Sequence, residues 1–188
     1  MKRTMFAGPY LVWMLIFILS PMLLILYYAF TANGSFTMAN LIAAVDLANI
    51  RVLLDSIRLA LYTTILCLLI GYPVAYLLSR MKKATATLLS VFFIVPMWMN
   101  FLLRTYAWKV LLGAFSNILY TEGAVLLGMV YNFLPFMILP IYTVLMKLDS
   151  SYVEAANDLG ANGVKTFFRV VLPLSVSGIV SGVTMVFI

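Results

Sequence analysis

Residues 123–146 read GAVLLGMVYNFLPFMILPIYTVLM, a run without one charged side chain. A helix needs about 20 residues at about 1.5 Å each to cross a hydrocarbon core roughly 30 Å thick, so this stretch is long enough to span a bilayer. Working outward, further apolar runs lie at 5–30, 57–79, 84–103 and 170–188, the second built on the charge-free residues 59–79. The pattern predicts an all-α integral membrane protein of about five spans in a single domain, 1–188. Composition agrees: 65% of the 188 residues are hydrophobic and 10% charged, with mean hydropathy +1.10. That is far too little polar surface to coat a water-soluble globule, which excludes a soluble enzyme or a nucleic-acid-binding domain. The net charge of +6 is therefore read as topology rather than as affinity for nucleic acid.

Short cytoplasmic loops carry an excess of Lys and Arg. A cytoplasmic N-terminus puts Lys2, Arg3, Arg80, Lys82, Lys83, Lys147, Lys165 and Arg169 inside, against Arg51, Arg58, Arg104 and Lys109 outside. The first run follows Lys2 and Arg3 as in a signal peptide, yet it exceeds the apolar region of about 7 to 15 residues in such a peptide and is read as an uncleaved anchor. The outer segments are then 31–55, with a turn signal at Asn33-Gly34, and 104–122, where Tyr106, Trp108 and Tyr120 suit an interfacial aromatic belt. Pro96, Pro135 and Pro140 each remove a helix hydrogen bond and either kink a span or are simply tolerated. Ser177, Gly178, Ser181 and Gly182 form overlapping small-xxx-small pairs that let another helix approach.

Several chemistries lack their residues. Cys67 is the only cysteine and there is no histidine, so metal centres and disulfides have no ligands or partners. With the second span taken at its charge-free 59–79, no charged residue lies within the proposed spans, which weakens an ion-coupled carrier, and no base stands beside a nucleophile at membrane depth. Gly123 and Gly128 have phosphate-loop spacing, but Met129 stands where the lysine belongs. No cofactor is expected in this chain, and any dependence on ATP and magnesium must come from a partner.

The sizeable polar insertion on the inner side is 147–169, KLDSSYVEAANDLGANGVKTFFR. Ser151 and Glu154 have capping-box spacing, predicting a helix from Tyr152 that ends at Gly160, and Asn162 can cap a second one. There Val164, Phe167, Phe168 and Val171 fall on one apolar face, with Lys165 and Arg169 on the polar side. Pro173 then opens or kinks the fifth span. Two helices joined at a glycine suit either docking into a groove or a plain interfacial connection.

Glu154-Ala155-Ala156, three residues, Gly160, nine residues, then Val170-Val171-Leu172-Pro173 resembles the EAA loop of permease subunits from binding-protein-dependent ABC importers, departing only in Val170 for the usual isoleucine. GYPVAYLLSR at 71–80, FFIVPMW at 92–98, RTYAW at 104–108 and LPFMILPIY at 134–142 are similar to the polyamine branch, the spermidine and putrescine permeases. The resemblance implies the MetI-like helical core, a multi-pass protein of the bacterial inner membrane, and alternating access driven by a separate cytoplasmic ATPase dimer. It also implies a second related permease, an extracytoplasmic polyamine-binding protein, and Glu154, Ala155, Ala156, Gly160, Leu172 and Pro173 as the ATPase-coupling residues. Permeases of this family continue past a fifth span, so the chain is expected to lack the C-terminal part of the domain.

A polycation suits carboxylates and aromatic faces, each cation-π contact contributing about 0.5 to 2 kcal/mol. Trp98, Asn100, Tyr106, Trp108 and Asn132 are the candidate substrate path, with Asp46, Asp55 and Glu122 in the outer segments. The same residues also read as an aromatic belt with solvated acids and helix-bonding asparagines, and Arg104 and Lys109 would repel a polycation. The alternatives are an ABC permease for another small polar solute and an ATP-independent carrier or membrane scaffold.

Overall fold

In the computed structural model, which describes residues 3–32, 34–115 and 119–188, the chain divides into two units, 1–56 and 57–188. The first contains α1 (Arg3–Met14), a π-helical turn (Leu15–Leu19) and α2 (Ser20–Ala29), which together give a span-length helix, Gly8–Ala29. The π turn has a cause in the sequence. Pro21 has no N–H and its ring crowds the carbonyl four residues back, so the ladder widens and the Ser20 N–H bonds Leu15 O. None of that helix's apolar side chains is buried, as expected where lipid is the solvent.

A short ribbon follows, β1 (Thr31–Ala32) against β2 (Ser35–Phe36), with Gly34 in the left-handed region at φ 79°. Lys2, and Asn33 of the expected turn, lie outside the described residues. Phe30 and Phe36 stack across the ribbon at 5.8 Å. Asn40 of α3 (Ala39–Ala44) donates to the carbonyls of Tyr28 and Thr31 at 2.8 and 3.2 Å, closing the segment on itself.

Helix α4 (Leu47–Arg80) carries the chain into the second unit and includes the span expected at 57–79. Next come α5 (Lys83–Trp98), α6 (Phe101–Phe115) and α7 (Glu122–Met146), the last capped by Thr121 accepting from the Ala124 N–H. α4 and α7 run parallel: Arg58 pairs with Glu122, Cys67 Sγ meets Val130 O at 3.8 Å, and Gly71 abuts Met137. The last helix, α11 (Val176–Phe187), runs antiparallel to α7, with Gly178 against Ile141 and Gly182 against Met137. Cys67, Ala75, Met137, Ile138, Ile141, Val171 and Val186 form the core between them.

Two of the expected spans are not continuous helices. The run at 84–103 breaks after Trp98, where Met99 is extended and α5 and α6 diverge by 96°. Asn100 Oδ1 accepts from the Leu102 N–H at 2.8 Å to start the new helix, and Arg104 Nη1 donates to Pro96 O at 2.7 Å, satisfying the severed end. The run at 170–188 is bent by 62° at Ser175. Pro135 and Pro140, in contrast, lie inside an unbroken α7.

Candidate functional site

The polar connection after α7 folds as two short helices, α8 (Ser150–Asp158) and α9 (Gly163–Thr166). Asp149 rather than Ser151 caps the first, its Oδ1 accepting from the Ser151 N–H at 3.0 Å, so the helix begins earlier than the capping-box spacing suggests. That bond holds the Asp149 carboxyl below its ordinary value. The helix ends in a Schellman motif: Gly160 takes φ 78°, the Ala161 N–H reaches Ala156 O at 3.0 Å and the Gly160 N–H reaches Asn157 O at 2.8 Å. Asn162 Oδ1 caps α9 through the Lys165 N–H at 2.9 Å, and Thr166 Oγ1 lies 3.4 Å from Asn157 Oδ1, tying the two helices together.

This arrangement turns polar and small residues outward. Glu154 and Ala155 are exposed on α8, and the Glu154 side chain makes no hydrogen bond or ion pair with the described residues. Leu159, an apolar side chain at the turn, is 89% exposed. Ala156, Gly160, Lys165 and Arg169 line an open recess of about 280 Å³ beside it. Leu172 and Pro173 lie away from this tip, at the bend into α11, where Leu172 O accepts from the Ser175 hydroxyl at 2.9 Å. The six expected coupling residues thus form two groups joined by one arm of helix.

That arm is α9, a second π-helical turn (Phe167–Val171) and α10 (Leu172–Leu174). Its cause repeats that of the first, since Pro173 follows the π turn as Pro21 follows the other. The extra residue splits the apolar face expected of Val164, Phe167, Phe168 and Val171: Phe167 and Val171 turn inward, while Val164 and Phe168 stay exposed. The Phe167 ring meets Tyr72 and Tyr76 of α4 edge-on at 5.7 and 5.3 Å. Arg80 lies over the Tyr76 ring at 5.2 Å. Tyr72 Oη and Ser175 Oγ are 2.9 Å apart. Tyr72 falls within the 71–80 stretch that is similar to the polyamine permeases, but beyond the aromatic pair at i and i+4 on α4 nothing local in the sequence links it to Ser175.

At the other end of α7, the α6 and α7 helices flank an open cavity of about 340 Å³ lined by Trp108, Lys109, Tyr120, Met129 and Asn132 among others. Trp108 packs edge-on against Tyr131 at 5.2 Å, and Asn132 Oδ1 is buried with no partner among the described residues. Trp108 and Asn132 of the expected substrate path are brought together here. The other three are not: Trp98 is 88% exposed at the end of α5, Asn100 is engaged as a helix cap, and Tyr106 is exposed beside Leu102 and Lys109.

Residues 67–188 match the family described as the inner membrane component of binding-protein-dependent transport systems. The chain is 40% identical to the spermidine/putrescine transport system permease protein PotB of Haemophilus influenzae, over 93% of this chain and 69% of that protein. It is 34% identical to PotB of Escherichia coli, over 93% of this chain and 72% of the relative. To the inner membrane ABC transporter permease protein YdcU of Escherichia coli it is 31% identical, covering 93% and 67%. Apolar helices of membrane-crossing length, the two-helix connection and these relatives lead to one assignment: the chain belongs to the family of inner membrane components of binding-protein-dependent transport systems, a multi-pass transport subunit like the permeases it matches.

Proposed function

We propose that the chain is the permease subunit of an ATP-driven importer for spermidine and putrescine. The observation that carries the substrate is the 40% identity, across 93% of the chain, to a permease named for those two polyamines. In this reading a cytoplasmic ATPase dimer binds and hydrolyses ATP, an external binding protein delivers the polyamine, and a second related permease completes the path. The α8–α9 pair is the ATPase docking element, with Glu154 presented to a basic or backbone partner and Leu159 to an apolar recess. Support comes from its shape and from charge. The parallel α4 and α7 bring Arg80, Lys147, Lys165 and Arg169 to one end of the unit, the end expected in the cytoplasm. A cytoplasmic N-terminus belongs to the same reading, from the count of Lys and Arg along the sequence.

Trp108 and Asn132 are the path residues favoured by geometry, an aromatic face and a buried carbonyl acceptor on one cavity. Lys109 on the same wall favours a second reading, an importer of another small polar solute. The docking role is tested by Glu154→Lys, which is expected to lower co-purification of the ATPase without lowering membrane insertion. ATPase recovered at the wild-type level with that variant would argue against it.

A further inference from the structure

The arm that joins the two-helix element to α11 is held at two points by a single helix. Phe167, at its start, is clasped edge-on by the rings of Tyr72 and Tyr76. Ser175, at its end, is fully buried, and its oxygen lies 2.9 Å from the Tyr72 hydroxyl. The direction of that bond follows from proton count. A serine hydroxyl has one proton, and here it is donated to Leu172 O at 2.9 Å, so Tyr72 donates to Ser175 Oγ.

Ser175 is also the point where the chain bends by 62°. Its N–H reaches the carbonyls of Val171 and Leu172 at 3.0 and 3.1 Å, and its carbonyl accepts from Gly178 and Ile179 at 3.0 and 3.1 Å. Upstream of the bend the arm is attached to α4. Downstream, α11 is attached to α7 through the backbone-close contacts of Gly178 and Gly182. The bend is therefore a joint between an arm held by α4 and a helix held by α7, and the Tyr72 hydroxyl ties the residue at the joint to α4.

We infer that Tyr72 is a positioning residue for transport: its hydroxyl sets the angle at Ser175, so that a push on the α8–α9 element turns α11 instead of being absorbed at the bend. The inference rests on the proposed docking of an ATPase at that element. Removing the hydroxyl leaves the ring contact with Phe167 and the helices in place; Ser175 keeps its bond to Leu172 O and loses the one that ties its oxygen to α4. The joint then samples a range of angles while the rest of the fold persists.

The test uses the assembled complex of permeases, ATPase and binding protein in lipid nanodiscs and proteoliposomes. Tyr72→Phe is compared with Ser175→Ala and with the double variant. Spin labels are placed at the exposed positions of Val164→Cys and Val180→Cys, in a Cys67→Ala background, to read the distance across the bend. For Tyr72→Phe the expected result is a broadened distance distribution and at least a fivefold fall in spermidine transported per ATP hydrolysed. Basal ATPase and complex yield should stay at wild-type levels, and the double variant should be no worse than Ser175→Ala, because Tyr72→Phe removes only a bond that Ser175→Ala has already removed. A narrow, wild-type distribution and an unchanged transport-to-ATP ratio in Tyr72→Phe would overturn the inference. A wild-type complex whose ATPase ignores substrate-loaded binding protein would overturn the proposed function, a result distinct from an unaffected Tyr72→Phe in a working transporter.

Discussion

Gly182 lies so close to Met137 that a Cβ there would stand 2.8 Å from the methionine sulfur, and Gly178, one turn earlier, lies 3.0 Å in the same sense from the Ile141 Cα and the Pro140 oxygen. The two contacts differ in what can yield. A thioether at the end of a flexible side chain can move, whereas backbone atoms of a packed helix cannot. Gly178→Ala should therefore destabilise the α7–α11 pair by about 1 to 3 kcal/mol, the usual range for overpacking. Gly182→Ala should cost less, because the thioether can shift and the Met137 backbone atoms behind it stand at 3.2 and 3.3 Å instead of 3.0 Å, the gain in helix propensity of about 1 kcal/mol being common to both sites. Thermal unfolding in mild detergent should place Gly178→Ala below Gly182→Ala, and the reverse order would contradict this packing.

Phe167 is the wedge between the arm and α4. Phe167→Ala removes edge contacts to Tyr72, Tyr76 and Phe168 and should cost about 3 kcal/mol, at the low end for a phenylalanine truncation because the ring is only half-buried. Phe167→Leu should recover part of that loss. Equal melting temperatures for wild type and Phe167→Ala would remove the wedge from the account.

Arg104 closes the severed end of α5 through its bond to Pro96 O at 2.7 Å. Arg104→Ala leaves that carbonyl without its charged donor and should cost about 1.5 kcal/mol. The loss should be local, read as faster proteolysis at Met99–Asn100 rather than as failure to insert. Unchanged cleavage at that break would mean that Asn100 alone maintains it.

The Asp149 carboxyl is held below its ordinary value of 3.8 by the Ser151 N–H that it caps. A group whose folded value is depressed contributes stability that is full above its ordinary value and is lost as pH falls through the folded one. Protection of the Ser151 amide from hydrogen exchange should thus be constant at neutral pH and decline only below about pH 4. Asp149→Asn keeps a capping oxygen and should abolish that pH dependence while retaining the helix. Protection that falls between pH 7 and 5 would assign it to another group.

The spans were legible because a charge-free run of the right length has few other physical meanings, as at 123–146. The breaks were not. Pro96, Pro135 and Pro140 look alike in sequence, yet only the first lies at a break, and Asn100 and Arg104 satisfy the freed groups there. In the polar connection, Gly160 and Asn162 marked the turn and the second cap from local chemistry alone. Asp149 was overlooked because Ser151 offered the more familiar spacing. The Tyr72 to Ser175 bond joins residues 103 apart and has no local signature, since it exists only once α4 and the bent arm are packed. Trp108 and Asn132 were named from residue type, but only the α6–α7 packing places them on one cavity and leaves Trp98 outside it.

The proposed function makes this chain a requirement for polyamine entry. It is tested most directly by saturable uptake of labelled spermidine and putrescine in cells that keep every other gene of the operon, with and without this one. Uptake should be lost on deletion and restored when the gene is supplied on a plasmid. Uptake that survives the deletion unchanged, in cells without a second polyamine importer, would contradict it.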